Sequence, residues 1–79
     1  MPKSVHTRQY KLLLGTLIKA RKSGALTQTQ VAKRLGRPQS FVAKYENGER
    51  RLDVVELIAV AKILGIDPAK VVARLAESP

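Results

Sequence analysis

Glycines at positions 24, 36, 48 and 65 each close a stretch whose apolar residues recur at three- and four-residue spacing. That spacing is one face of an α-helix, and a glycine just past the last turn accepts the left-handed conformation that ends it. No segment alternates apolar and polar residues as a half-buried strand does. The chain is therefore confined to short helices, an all-α fold. Helix 1 covers about 7–23, with Tyr10, Leu13, Leu14 and Leu17 on one face. Gly15 interrupts it, a cost of about 1 kcal/mol against alanine that close packing would offset. Helix 2 starts at a Thr27 cap and ends at Leu35, burying Val31, Ala32 and Leu35. Helix 3 begins near Pro38, whose fixed φ suits a first turn, and ends at about Asn47. Helix 4 runs from an Asp53 cap to Leu64; helix 5, capped by Asp67 with Pro68 first, reaches about Ala76. Residues 1–6 read as a flexible basic arm and 7–77 as one domain.

Size narrows the function. A chain of 79 residues buries only about 60% of its unfolded surface, enough for one small core or a core completed by a second subunit. A large catalytic cleft is not expected. There is no cysteine, the one histidine is His6, and neither a Gly-rich phosphate loop nor a paired carboxylate is visible. The sequence thus predicts no enzyme, no metal, no cofactor and no small-molecule ligand. No run reaches the roughly 18 apolar residues of a membrane span. The apolar run Leu12–Ile18 is followed by Lys19, Arg21 and Lys22, which do not suit a signal-peptide cleavage region. A cytoplasmic protein is expected.

Charge points to the partner. The net charge is +9, and it is unevenly placed. Residues 1–51 hold twelve Lys and Arg against Glu46 and Glu49; residues 52–79 hold three against four acids. A basic front with a near-neutral back suits a part that meets phosphate and a part that packs or dimerises.

The stretch 27–47 is the most specific. Two short helices flank a turn containing Gly36, with Ala32 four residues before it and Val42 six after. Ala32 is small where helix 3 crosses above it, Gly36 accepts the turn, and Val42 fills the angle between the helices. Here the sequence resembles the phage-repressor-like (Xre-type) helix-turn-helix family. Leu26-Thr27-Gln28-Thr29-Gln30-Val31-Ala32-Lys33-Arg34-Leu35-Gly36 and Tyr45-Glu46-Asn47-Gly48 are similar to its signatures. Arg37–Val42 and Gly48–Asp53 are similar to one bacterial branch, with Pro38 where many relatives carry Ser or Thr. The resemblance covers about residues 14–67. It implies a compact bundle of about five helices (lambda-repressor-like) that binds operator DNA, usually as a dimer.

On the helix of about 38–47, Gln39, Ser40, Ala43, Lys44 and Asn47 share a face opposite Val42 and Tyr45. Gln pairs with adenine, Lys with guanine and Ser with either, so Gln39, Ser40, Ala43 and Lys44 are the candidate base-contacting residues. Phe41 falls on the flank beside Tyr45, as packing. Gln28 opens helix 2, where the positive helix end attracts a phosphate, the use the family makes of it. Arg37, Asn47, Arg50 and Arg51 flank the recognition helix as further phosphate contacts. Lys3, Lys11, Lys19 and Lys22 read as solvated surface. Arg21 lies in the apolar stripe of helix 1 and Glu46 toward the buried side of helix 3; the resemblance implies a buried salt bridge between them.

Helix 4 is apolar nearly all round, with Val54, Leu57, Ile58, Ala61 and Leu64 in one stripe and Val55, Ala59 and Ile63 in a second. Helix 5 adds Val71, Val72 and Leu75. Two copies joined through helices 53–64 and 68–76 would cover these faces. The expected function is a sequence-specific double-stranded DNA-binding regulator, a homodimeric repressor. The alternatives are an antitoxin-type protein-interaction module with autoregulatory DNA binding and a sequence-independent nucleoid binder.

Overall fold

The computed structural model describes residues 7–77. They form α1 (Arg8–Ser23), α2 (Gln28–Leu35), α3 (Gln39–Glu46), α4 (Val54–Leu64) and α5 (Pro68–Glu77). The expected basic arm, with Lys3 and His6, lies outside the described residues. Each of the first two helices starts on a threonine. The Thr7 hydroxyl accepts from the Tyr10 N–H, and the Thr27 hydroxyl from the Gln30 N–H. Gln30 returns the bond to the Thr27 N–H, and Asp53 and Glu56 repeat the same reciprocal box at the head of α4. Asp67 Oδ1 accepts from the Ala69 N–H at the start of α5.

The helix-turn-helix closes as its glycine requires. Gly36 has φ 71°, and the Arg37 N–H reaches back to the Ala32 carbonyl at 3.0 Å. The start of α3 differs from the sequence reading. Pro38 is not in the first turn but before it, extended at φ −63° and ψ 153°, and it offers no side-chain cap. The chain must reverse direction at Pro38 to set α3 across α2, so the helix begins at Gln39 and ends at Glu46, with Asn47 as its C-cap. The end of α1 also differs. Gly24 has φ −84°, and the left-handed residue is Ala25 at φ 56°. The closing bond from the Leu26 N–H to the Arg21 carbonyl places the reversal one residue later than the glycine.

The core gathers Leu17 from α1, Val31 from α2, Val42 and Tyr45 from α3 and Val60 from α4, all fully buried. Ala32 is buried beneath the α2–α3 crossing. Leu35 is half-buried and packs against this cluster rather than lying within it. The sequence leaves the rotation of helix α4 open, and the fold sets it. It buries Leu57, Val60, Ala61 and Leu64, and α1, α2 and α5 all pack against it. Val54 and Ile58, part of the apolar stripe that a second copy was expected to cover, are exposed at 71% and 39%. On α5, Val71 is buried and Leu75 half-buried, but Val72 points outward at 50% exposure. The Gln9 side-chain amide donates to the Leu75 carbonyl at 2.7 Å and ties α5 to α1.

Gly15 has no packing reason. A β-carbon there would meet nothing within 4 Å, so the close approach expected from the sequence does not exist. Gly15→Ala should therefore raise the unfolding free energy by about 0.5–1 kcal/mol, the helix-propensity difference. Urea denaturation checks this; a loss of stability would mean that another surface does approach α1 here.

Candidate nucleic-acid interface

Helix α3 presents Gln39, Ser40, Lys44 and Asn47 to solvent, with Ala43 half-buried between them. Val42 and Tyr45 anchor the opposite side in the core, which fixes this rotation. Phe41 is buried too, edge-on to Tyr45 with ring centroids 5.6 Å apart. It packs and does not reach outward.

Beneath the exposed face runs a chain of hydrogen bonds. The Arg21 guanidinium grips Glu46 twice, Nε to Oε2 at 2.7 Å and Nη2 to Oε1 at 3.1 Å. Its Nη1 donates to the Leu26 carbonyl. The two side chains are 12% and 6% exposed, and the bond to Glu46 raises the Arg21 pKa further. Glu46 Oε1 also accepts from the Gln28 amide at 2.9 Å, and Gln28 Oε1 accepts from the Gln39 amide at 2.8 Å. The polarity of this chain is forced. A carboxylate only accepts, so Gln28 turns its NH2 toward Glu46 and its oxygen toward Gln39. Gln39 thus keeps its own oxygen and one N–H free, the pair that bidentate recognition of adenine needs. Gln28, expected from the sequence at a phosphate, is half-buried and bonded to Glu46 and Gln39.

The arginines expected at phosphates are not all free. Arg50 pairs with Glu56 through two bonds of 2.9 and 2.8 Å, and Arg37 reaches the same carboxylate at 3.3 Å. Both guanidiniums sit over the Phe41 ring, at 4.5 and 4.8 Å from its centroid. Arg51 is exposed and lies over the Tyr10 ring at 5.3 Å. The Tyr10 hydroxyl in turn accepts from the Leu52 N–H, which holds the α3–α4 turn against α1. The Asn47 amide donates to Glu49. Glu56 is the residue the sequence reading missed. Its place three residues after Asp53 is a capping-box spacing, but its contacts with Arg37 and Arg50 come from the fold.

Behind the interface, the Tyr45 hydroxyl is buried without a hydrogen-bond partner among the described residues. Burial, with the Glu46 charge adding to it, pushes its pKa up to about 12.

Comparison with known proteins agrees with this geometry. Residues 17–71 match the model of the Helix-turn-helix family. The fold is similar to that of an XRE-family like protein from Pseudomonas syringae pv. tomato str. DC3000, with a TM-score of 0.87 and 45% sequence identity over 96% of this chain and 94% of that one. None of the curated proteins compared matches.

The Arg21–Glu46 pair sets a stability test. Arg21→Met strands a carboxylate that is almost fully buried and should cost about 3–5 kcal/mol, while Arg21→Met with Glu46→Leu should recover much of the loss. Thermal and urea unfolding read both; wild-type stability in the single variant would show that the pair carries no load.

Proposed function

The chain belongs to the Xre-type helix-turn-helix family, and from that premise we propose that it is a cytoplasmic, sequence-specific repressor that binds operator DNA as a homodimer. In this reading residues 7–77 act as one DNA-binding unit and α3 enters the major groove. The observation that carries it is the row of exposed Gln39, Ser40 and Lys44 around half-buried Ala43, set on a helix whose other side is locked into the core. Gln39 and Lys44 read base edges, and Ser40 and Ala43 complete the contact surface. Asn47 and Arg51 meet backbone phosphates on the flank, with Arg37 and Arg50 beside them. Among the described residues no helix is long and apolar enough to cross a membrane.

The dimer rests on the apolar surface left uncovered by α4 and α5. Val54, Ile58, Pro68, Ala69 and Val72 surround a shallow depression of about 430 Å³. Three of its residues, Val54, Ile58 and Val72, are large apolar side chains exposed to solvent. A second copy of the same face covers them isologously, without charge repulsion, since the C-terminal part is nearly neutral. Such a two-fold dimer would set its recognition helices about 34 Å apart on a palindromic site.

Two measurements test this. On a duplex selected from a random pool, Gln39→Ala or Lys44→Ala should each cost about 1–3 kcal/mol, and far less on random duplex; equal losses on both would reduce these residues to backbone contacts. Sedimentation equilibrium at micromolar concentration should give the dimer mass for the wild type and the monomer mass for Ile58→Glu, at similar helicity. A wild-type monomer that selects a single non-palindromic half-site rules the dimer out.

A further inference from the structure

One carboxylate already occupies a site built like a phosphate cradle. Glu56 Oε1 accepts from Arg50 Nη1 at 2.9 Å and from the Asp53 N–H at 3.0 Å. Its Oε2 accepts from Arg50 Nη2 at 2.8 Å and from Arg37 Nη2 at 3.3 Å. Two guanidiniums and the N–H at the head of a helix are the donors that bind DNA phosphates elsewhere. Here they converge on a side chain. Phe41 holds both arginines from the other side. Arg37 precedes α3 and Arg50 follows it, so the cluster brackets the recognition helix. The Arg50 bonds, and after them the Asp53 N–H, hold the Glu56 carboxyl down at about 2, so it stays charged at neutral pH.

We propose that Glu56 is an internal competitor for DNA phosphate at Arg37 and Arg50. It keeps the two arginines ordered, cancels one of their two charges, and so lowers the affinity of the chain for duplex of any sequence. The inference rests on the DNA-binding reading above. Binding to random duplex comes almost wholly from phosphate contacts and scales with the cations that can displace counterions. A chain with a net charge of +9 is prone to be held on bulk DNA. A built-in anion beside the recognition helix reduces that hold without touching the row of base-reading side chains.

The charge and the cap of Glu56 can be separated, because Gln at the third helical position also closes a capping box. Glu56→Gln therefore keeps the head of α4 and frees the arginines. Measured as log K against log salt, it should tighten binding to random and selected duplex alike and steepen the slope by about one unit. The same replacement in an Arg37→Gln, Arg50→Gln chain should leave the slope where those changes put it. Asp67→Asn, which removes a distant charge but keeps a capping side chain, should not move it in the otherwise native chain. An unchanged slope in Glu56→Gln, or an equal gain without the arginines, overturns the proposal alone. A wild-type chain that binds neither duplex at low salt overturns the DNA-binding reading with it. Should Glu56→Gln fail to fold, the guanidinium nitrogen NMR signals of wild-type Arg50 decide. They shift on saturation with random duplex if phosphate displaces the carboxylate, and an absence of shift overturns the proposal.

Discussion

The Glu46 carboxylate is the joint on which the recognition helix turns. It is the last residue of α3, where the negative end of the helix dipole disfavours an acid. Its stability there depends on what surrounds it: two bonds from Arg21 on α1 and one from Gln28 on α2. Three helices are thereby registered through a single side chain. Val42 and Tyr45 hold α3 in the core by apolar contact, which is tolerant of small rotations. The carboxylate is not tolerant, since guanidinium bonds are directional and the pair is nearly excluded from water. The angle at which Gln39 and Lys44 leave the surface is set by this combination.

The same logic governs four of the other five acids. Asp53 and Asp67 cap α4 and α5, Glu49 accepts from Asn47, and Glu56 holds Arg37 and Arg50. In so basic a chain, each of these carboxylates is committed to a local contact. The cations left without such contacts, Lys44 on the row itself among them, supply the positive surface. Net charge alone gives no indication of this division, because Arg37 and Lys44 count equally in it. Geometry separates a charge that belongs to the fold from one that belongs to the surface.

Much of this was legible in the sequence. The five helices followed from spacing, caps and glycines, all of them local signals. The exposed row on α3 follows from the wheel, which puts Val42 and Tyr45 on the opposite, buried side. What was illegible depends on neighbours distant along the chain. The rotation of α4 is not legible, since the helix is apolar on several sides and its packing against α1, α2 and α5 sets which side faces inward. Pro38 reads as a first-turn residue because its φ is the same before a helix as within its first turn; ψ, at 153°, tells them apart. Gly15 reads as a packing device, and a glycine with nothing near it has no sequence signature. Glu56 showed its cap in the sequence but not its arginines, which lie 6 and 19 residues away along the chain.

A chain this small has little apolar interior with which to brace its surface, and polar contacts take over that task. Gln39 sits at the end of the line from Arg21 through Glu46 and Gln28, so its amide is oriented before any DNA arrives. A free glutamine would lose rotamer entropy on docking, a cost of about 0.5–1.5 kcal/mol for such a side chain. Part of that loss is taken during folding instead. It is offset there by hydrogen bonds at half-buried Gln28, where an unpaired amide would be unfavourable. Arg37 and Arg50 are ordered in the same way by Glu56 and Phe41, but with the opposite consequence, because their order is bought with an anion that also cancels charge. In the proposed reading, one device serves contact with the bases and the other restrains attraction to the backbone. A recognition surface held by hydrogen bonds can thus tune the two separately, which a uniformly basic face could not do.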